Sequence, residues 1–322
     1  DEWEKDLLEI FCANLGTAFE NLTLNLELEN KVERRTAELR RAKEAVEAAM
    51  HELETINERL ITANGELETA KSIADQDMRM AVNVQGNVLP TVPPKSSGWE
   101  AGYYFRPMAG VSGDFYDFFP DEDGSLAGIG LFDVSGHGIA SGLITMLAKS
   151  ITFRRFRAMR GSSLSAVIDA ANEDLIAELD NVPNFLSGVM LRFGTDSVEY
   201  VNAGHPDIII RRTDGTCMNL MDAPDNPKGF YLGIKSMQLP HGVCEFPVGK
   251  GEFIVAFSDC MVEAWNHASE QYGLVRLAAS IAAIEPSLSA QQAADFLMER
   301  FWSFIDSAKL PDDLTLVVVK KL

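Results

Sequence analysis

Hydrophobic residues recur every seven positions between residues 8 and 74, a stretch without proline. This spacing is typical of helices that wind around each other through a shared apolar seam. We predict that residues 1–76 form a coiled-coil signalling helix through which two copies of the chain pair in parallel as a homodimer. A single solvated helix is the alternative. One seam position is occupied by Phe11, Ala18, Asn25, Val32, Leu39, Val46, Leu53, Leu60, Leu67 and Ala74.

The companion seam position carries polar residues, among them Asn57 and Asn64. Asparagine at this position favours two strands at some cost in stability. A further helical pattern covers residues 77–89 and runs into Pro90, and two more prolines follow at 93 and 94. Proline cannot continue a helix, because it lacks the backbone N–H. We therefore predict a switch helix and linker at residues 77–95, between the coiled coil and a domain at 96–322.

Beyond residue 96 the pattern changes to short apolar or alternating runs mixed with amphipathic helices. Several strands lie between residues 184 and 212 with no helix between them, which favours antiparallel pairing. The predicted fold class is α+β. The predicted strands are 99–106, 126–133, 186–193, 197–203, 207–212, 252–257 and 314–320, and the predicted helices are 139–158, 163–180, 272–283 and 289–306.

Composition restricts the class of partner. The formal net charge is −20, with 28 Lys and Arg against 48 Asp and Glu, which argues against nucleic acid and against an anionic membrane surface. No run approaches the ~20 apolar residues of a membrane span. The four cysteines (12, 217, 244 and 260) show no CxxC spacing, which favours reduced thiols and a cytoplasmic location. The chain begins at Asp1 rather than Met, so we expect a longer protein with a sensor upstream.

Acidic residues cluster at the ends of predicted strands and beside glycines. Asp133 follows an apolar strand and opens the glycine-rich turn 133–138, and further acidic clusters lie at 113–117, 258–259 and 312–313. Hard divalent cations prefer oxygen ligands, and two such ions can share and activate a water molecule. The sequence therefore indicates a metal-dependent phosphoryl-transfer or hydrolytic enzyme.

Five segments occur in the order known from one family: 113–117 (GDFYD), 133–138 (DVSGHG), 202–205 (NAGH), 258–264 (SDCMVEA) and 312–315 (DDLT). Together they resemble the SpoIIE/RsbU branch of the PPM (type 2C) metal-dependent serine/threonine phosphatases. The resemblance implies an αββα sandwich of two antiparallel sheets flanked by helices. It also implies two Mn²⁺ or Mg²⁺ ions in the cleft, and a phosphoserine or phosphothreonine substrate. That substrate would belong to a phosphorylated bacterial regulator, an anti-sigma-factor antagonist of the STAS type in a partner-switching pathway.

The resemblance also implies roles for single residues. Asp114 and Asp133 would hold both ions, and the main-chain carbonyl of Val134 would complete one coordination shell. The resemblance assigns the remaining metal-site positions to Asp259, Asp312 and Asp313, with the role of Asp313 the least defined. A metal-bound hydroxide would then attack phosphorus without a phosphoenzyme.

Two histidines have alternative roles. His137 either donates a proton to the leaving serine oxygen or only supports its turn, since histidine titrates near neutral pH. His205 favours a structural role over substrate contact.

The chain departs from the family at one position. The family usually has Thr-Asp-Gly where this chain has Ser258, Asp259 and Cys260. A side chain at a glycine position puts the geometry of Asp259 in question. The rival hypothesis is therefore a catalytically weak, phosphatase-like binding scaffold, and Cys260 as a metal ligand is a lesser alternative. A phosphodiesterase or nucleotide hydrolase is disfavoured, because the sequence has no P-loop.

Overall fold

The computed structural model describes residues 2–108, 110–136, 138–180, 182–220, 228–237, 239–306 and 308–322. The chain divides into two compact units, one ending at Ala74 and the other covering Asp75–Leu322. Helix α1 covers Glu2–Val88, so the two predicted N-terminal helical stretches are one continuous helix. The predicted domain limits at residues 76 and 95 stay predictions.

The first unit consists of helix alone. Its seam side chains are exposed in the single chain: Leu39 is 70% exposed, Leu53 65% and Leu60 62%. Exposed leucines repeated at heptad spacing are compatible with a coiled coil. The predicted homodimer stays a prediction, because the structure describes one chain.

The second unit is a sandwich of two five-stranded sheets. The first has the order β1-β10-β9-β6-β7 and the second β2-β3-β4-β5-β8, and every pairing within them is antiparallel. The predicted antiparallel sandwich is thus confirmed. The strands are β1 (Trp99–Arg106), β2 (Asp114–Pro120), β3 (Leu126–Val134), β4 (Leu186–Phe193), β5 (Ser197–Ala203), β6 (Ile209–Arg211), β7 (Cys217–Asn219), β8 (Cys244–Pro247), β9 (Phe253–Phe257) and β10 (Leu314–Lys321).

Helices cover the outer face of each sheet. Helices α2 (Ile139–Ala158) and α3 (Leu164–Glu178) pack on the second sheet. Helices α5 (Gly273–Ala282) and α6 (Ala290–Ile305) pack on the first, and the short α4 (Cys260–Glu263) follows β9. One hydrophobic cluster fills the space between the sheets and under α2 and α3, and a second lies under α5 and α6. None of the helices within the described ranges has the length and apolar character needed to cross a membrane.

Sequence analysis did not predict three of the strands in the described residues. Strand β2 is buried on both faces except at its last residue, so its sequence DFYDFFP shows no alternation of polar and apolar positions. Strands β7 and β8 have three and four residues, too few for a periodic signal. The other strands and the four longer helices confirm the predicted elements within a few residues.

Candidate metal centre

The first two candidate ligands are direct partners across neighbouring strands. Asp114 opens β2 and pairs with Asp133 near the end of β3. Directly opposed residues point to the same face of a sheet, so the two carboxylates lie side by side. Gly113 makes this approach possible: a Cβ there would lie 2.9 Å from the carbonyl oxygen of Val134. Only glycine tolerates so short a contact with backbone.

Asp114 lies between the two sheets. Its side chain is 2% exposed, and the hydroxyl of Thr315 on β10 donates a hydrogen bond to its Oδ2 at 2.5 Å. Burial raises the pKa of Asp114 well above its ordinary value, and the negative charge of Asp133 raises it further. The Thr315 hydrogen bond acts in the opposite direction, because it stabilises the carboxylate.

Asp133 and Asp259 experience the same repulsion. Burial, followed by the charges of Asp259, Asp312 and Asp313, raises the pKa of Asp133 to about 7. Burial, followed by Asp312 and Glu263, raises the pKa of Asp259. Every charged group that shifts these pKa values is another carboxylate. Strand ends from both sheets therefore bring together negative charges that repel one another.

The donor set suits a hard divalent cation. Buried carboxylates without a compensating charge are costly, and Mg²⁺ or Mn²⁺ binds oxygen ligands of this kind. Within the described ranges, however, no three Asp, Glu, His or Cys side chains already stand in a ready coordination geometry. The residues fit these ions by charge and by donor type.

Asp313 and Asp312 differ in what their side chains contact. The Asp313 carboxylate accepts hydrogen bonds from the backbone N–H of Met108 at 2.6 Å and of Gly113 at 2.7 Å. Asp313 thus holds the segment that leads into Asp114. Asp312 is exposed, and its Oδ1 accepts only the N–H of Asp313 among the hydrogen bonds of the described residues. Asp312 is the better placed of the two to bind a cation.

The other predicted site residues occupy different surroundings. Val134 is buried, and its N–H donates to the carbonyl of Gly113 at 3.1 Å. His137 lies outside the described residues. His205 is 1% exposed, with Nδ1 2.7 Å from Ser187 Oγ, and burial lowers its pKa to about 3. A buried neutral imidazole agrees with the structural role that sequence analysis favoured for His205.

The Cys260 side chain is hydrogen-bonded to backbone. Its Sγ donates to the main-chain carbonyl of Asp312 at 3.2 Å, and burial raises the pKa of the thiol to about 12. A protonated thiol is a poor ligand for hard cations.

Sequence analysis missed two supporting residues. Thr315 orients Asp114, and Gln85 in α1 exchanges two hydrogen bonds with the backbone of Ser112: Gln85 Nε2 donates to Ser112 O at 2.7 Å, and Ser112 N donates to Gln85 Oε1 at 2.8 Å. Thr315 had a signal, because it closes the motif 312–315. Gln85 had none, since one glutamine in a polar helix looks like any other.

Two antiparallel sheets with acidic strand ends meeting between them define a PP2C-type domain. Residues 123–321 match the family model described as Stage II sporulation protein E (SpoIIE), and the chain belongs to this family.

Two curated relatives extend the match beyond that domain. Protein IcfG of Synechocystis sp. is 24% identical over 292 residues, which cover 77% of this chain and 43% of IcfG. Phosphoserine phosphatase RsbU of Bacillus subtilis is 27% identical over 288 residues, covering 85% of this chain and 81% of RsbU. The chain thus spans less than half the length of IcfG but most of RsbU.

Solved structures share the fold at low sequence identity. The SiaA-PP2C domain of Pseudomonas aeruginosa has a TM-score of 0.65 at 17% identity, covering 78% of this chain and 98% of that domain. The catalytic domain of the serine/threonine phosphatase PstP, solved in complex with two manganese ions, has a TM-score of 0.50 at 14% identity. It covers 70% of this chain and 99% of that domain.

Proposed function

We propose that this chain is a metal-dependent protein serine/threonine phosphatase. Its substrate would be a phosphoserine or phosphothreonine on a cytoplasmic bacterial regulator, an anti-sigma-factor antagonist of the STAS type. The observation that carries the proposal is that Asp114 pairs with Asp133 across β2 and β3, and that other carboxylates raise the pKa of both and of Asp259. The phosphoserine phosphatase RsbU supports the activity and the two manganese ions of PstP support the cofactor.

The proposed division of work gives each residue of the centre one role. Asp114, Asp133, Asp259 and Asp312, with the carbonyl of Val134, would hold two Mn²⁺ or Mg²⁺ ions. Such ions neutralise phosphate oxygens and lower the pKa of bound water. The chain itself keeps the carboxylates close despite their repulsion: Thr315 orients Asp114, and Asp313 fixes the segment before it.

The test is phosphate release from a phosphorylated candidate regulator of the same genome, with Mn²⁺ and with a chelator. Asp133→Asn should abolish Mn²⁺-dependent release, because it removes a charged ligand from the centre. Asp123→Asn is the matched control, since Asp123 lies in the exposed turn between β2 and β3. Release that continues unchanged in chelator, or after Asp133→Asn, would refute the proposed activity.

Control of the centre through α1 is a second part of the proposal. The last turns of α1 contact the segment that carries the first ligand: Gln85 binds the backbone of Ser112, and Met78 lies within 3.1 Å of a Cβ position on Gly110. Asp313 holds the same segment at Gly113. A shift or rotation of these turns would therefore displace Asp114 and change the affinity for the cations.

The coiled coil would impose that shift through dimerisation of residues 1–76. Changing Leu53 and Leu60 to Asp should give monomers in analytical ultracentrifugation, with altered phosphatase activity. Thr55→Asp with Thr62→Asp is the matched control, because it adds the same charges at outward heptad positions. If the Leu53→Asp/Leu60→Asp monomer kept wild-type activity, the relay through the coiled coil would be wrong.

A catalytically weak scaffold is the second candidate, favoured by Cys260 at the family's glycine position. The two candidates differ in metal stoichiometry. Calorimetric titration with Mn²⁺ should show two ions bound by a phosphatase, and one or none by a scaffold.

A further inference from the structure

The two side chains that flank Asp259 both bind backbone carbonyls at the start of β10. The Cys260 thiol donates to Asp312 O at 3.2 Å, and the Ser258 hydroxyl donates to Asp313 O at 3.2 Å. The Ser258 hydroxyl also accepts the N–H of Thr315 at 2.9 Å. Two successive carbonyls are thus tied to the residues on either side of Asp259.

Both donors are buried: Ser258 is fully buried and Cys260 is 1% exposed. The Ser258–Asp313 hydrogen bond is buried, and the Cys260–Asp312 hydrogen bond is partly buried because Asp312 is exposed. Cys260 is the first residue of α4 and is absent from the described residues with positive φ. The backbone at this position therefore does not require glycine, and a side chain is free to serve as a donor.

The ties act against a specific force. Two carboxylates held close together repel each other through their like charges. A cation that binds both carboxylates is bound more tightly when they already lie close together, because otherwise part of the binding free energy is used to overcome their repulsion.

We propose that Ser258 and Cys260 are positioning residues that keep Asp259 and Asp312 close together and thereby raise the affinity of the centre for divalent cations. This inference rests on the proposed function. It gives Cys260 a role that glycine cannot perform, because glycine has no donor to place on the Asp312 carbonyl. It also separates Cys260 from the ligands, since its sulfur is engaged with backbone.

The experiment measures Mn²⁺ binding by calorimetry in four variants of the full chain. Cys260→Ala removes one donor, and we expect it to weaken binding about 10-fold, as loss of a residue that orients a metal ligand commonly does. Cys260→Ser keeps a donor and should stay within about threefold of wild type. Ser258→Ala should weaken Mn²⁺ binding at least as much as Cys260→Ala. Ser258→Thr keeps the hydroxyl and should retain most of the wild-type Mn²⁺ affinity.

Cys217→Ala is the matched control. The Cys217 thiol also donates to a backbone carbonyl, that of Ala278 at 3.7 Å, but it lies on β7 beneath α5. Its removal should leave Mn²⁺ affinity unchanged. Thermal unfolding in chelator checks that each variant is folded.

Two negative outcomes are distinguishable. Wild-type protein that binds no Mn²⁺ would overturn the proposed function together with this inference. Wild-type protein that binds Mn²⁺, with folded Cys260→Ala and Ser258→Ala variants that bind it equally well, would overturn the positioning role alone.

Discussion

Asp133→Asn should stabilise the metal-free protein while it abolishes Mn²⁺ binding. Burial, followed by the charges of Asp259, Asp312 and Asp313, raises the pKa of Asp133 to about 7, against an ordinary value of 3.8. Asparagine has nearly the same shape and carries no charge. The substitution therefore removes both the cost of burying the charge and the repulsion, and it leaves the packing almost unchanged. A residue whose removal improves folding but destroys binding is retained for function.

The magnitude follows from the two pKa values. At pH 8 the Asp133 carboxyl is ionised in both states, and its ionisation costs on the order of 4 kcal/mol more in the folded protein than in the unfolded chain. An amide in the same place still loses hydration, so we expect a net gain of about 2–4 kcal/mol for Asp133→Asn in chelator.

The pH dependence of the free energy of unfolding tests the sign of the Asp133 contribution independently. A folded-state pKa above the unfolded one means that the protonated form is stabilised by folding. In wild type this contribution is fully present below about pH 4 and is lost as the pH rises through about 7. Metal-free wild type should therefore be less stable at pH 8 than at pH 5. Asp133→Asn should show a smaller fall over the same range.

Urea unfolding at pH 5 and pH 8, in chelator and in Mn²⁺, measures all of these quantities. With Mn²⁺ present, wild type should be more stable than Asp133→Asn, because only wild type is stabilised by binding the ion. Asp123→Asn again serves as the control, since an exposed turn residue should change the free energy of unfolding by less than about 0.5 kcal/mol. An Asp133→Asn protein no more stable than wild type in chelator at pH 8 would refute the argument from repulsion.

Two further predictions concern the packing of the second unit. Lys149→Met should lower the free energy of unfolding in urea by about 3–5 kcal/mol, because Lys149 Nζ lies 2.5 Å from Oδ2 of the buried Asp117 and the substitution leaves that charge without its partner. The double variant Lys149→Met/Asp117→Leu should recover most of the lost stability, and a double variant as unstable as Lys149→Met alone would contradict this explanation. Gly188→Ala should cost at least about 1–3 kcal/mol, because its Cβ would lie 2.0 Å from the Phe132 ring. Gly161→Ala, which would meet nothing within 4 Å, should be nearly neutral.

Local sequence patterns and the family motifs were enough to predict the fold. Features that depend on burial or on contacts between distant parts of the chain were not predicted. Strand β2 carries the first candidate ligand, yet its burial on both faces removed the alternation that identifies a strand. The motifs named acidic residues that the fold brings close enough to raise one another's pKa. They did not show that Thr315 holds Asp114, a contact between residues 201 positions apart. Such a contact depends on how the two sheets pack.

Asp313 is a second residue whose contacts the sequence does not reveal. The doublet Asp312–Asp313 offers two similar carboxylates, and sequence alone assigns both to the metals. In the fold, both residues lie just before β10, and the Asp313 carboxylate accepts the N–H groups of Met108 and Gly113 while Asp312 is exposed. The assignment of Asp313 to the metals stays a prediction, and its two hydrogen bonds add a supporting role that the sequence alone does not show.

Cys260 extends this reasoning to the rival hypothesis. The case for a weakened enzyme assumed that a side chain at the glycine position would intrude between Asp259 and its partners. The thiol instead turns toward the Asp312 carbonyl, and the helical backbone at position 260 accepts a Cβ. The substitution therefore adds a hydrogen bond between the backbone segments that carry Asp259 and Asp312. A side chain that makes such a bond is not by itself an argument for lost activity, so the phosphatase remains the better supported of the two functions.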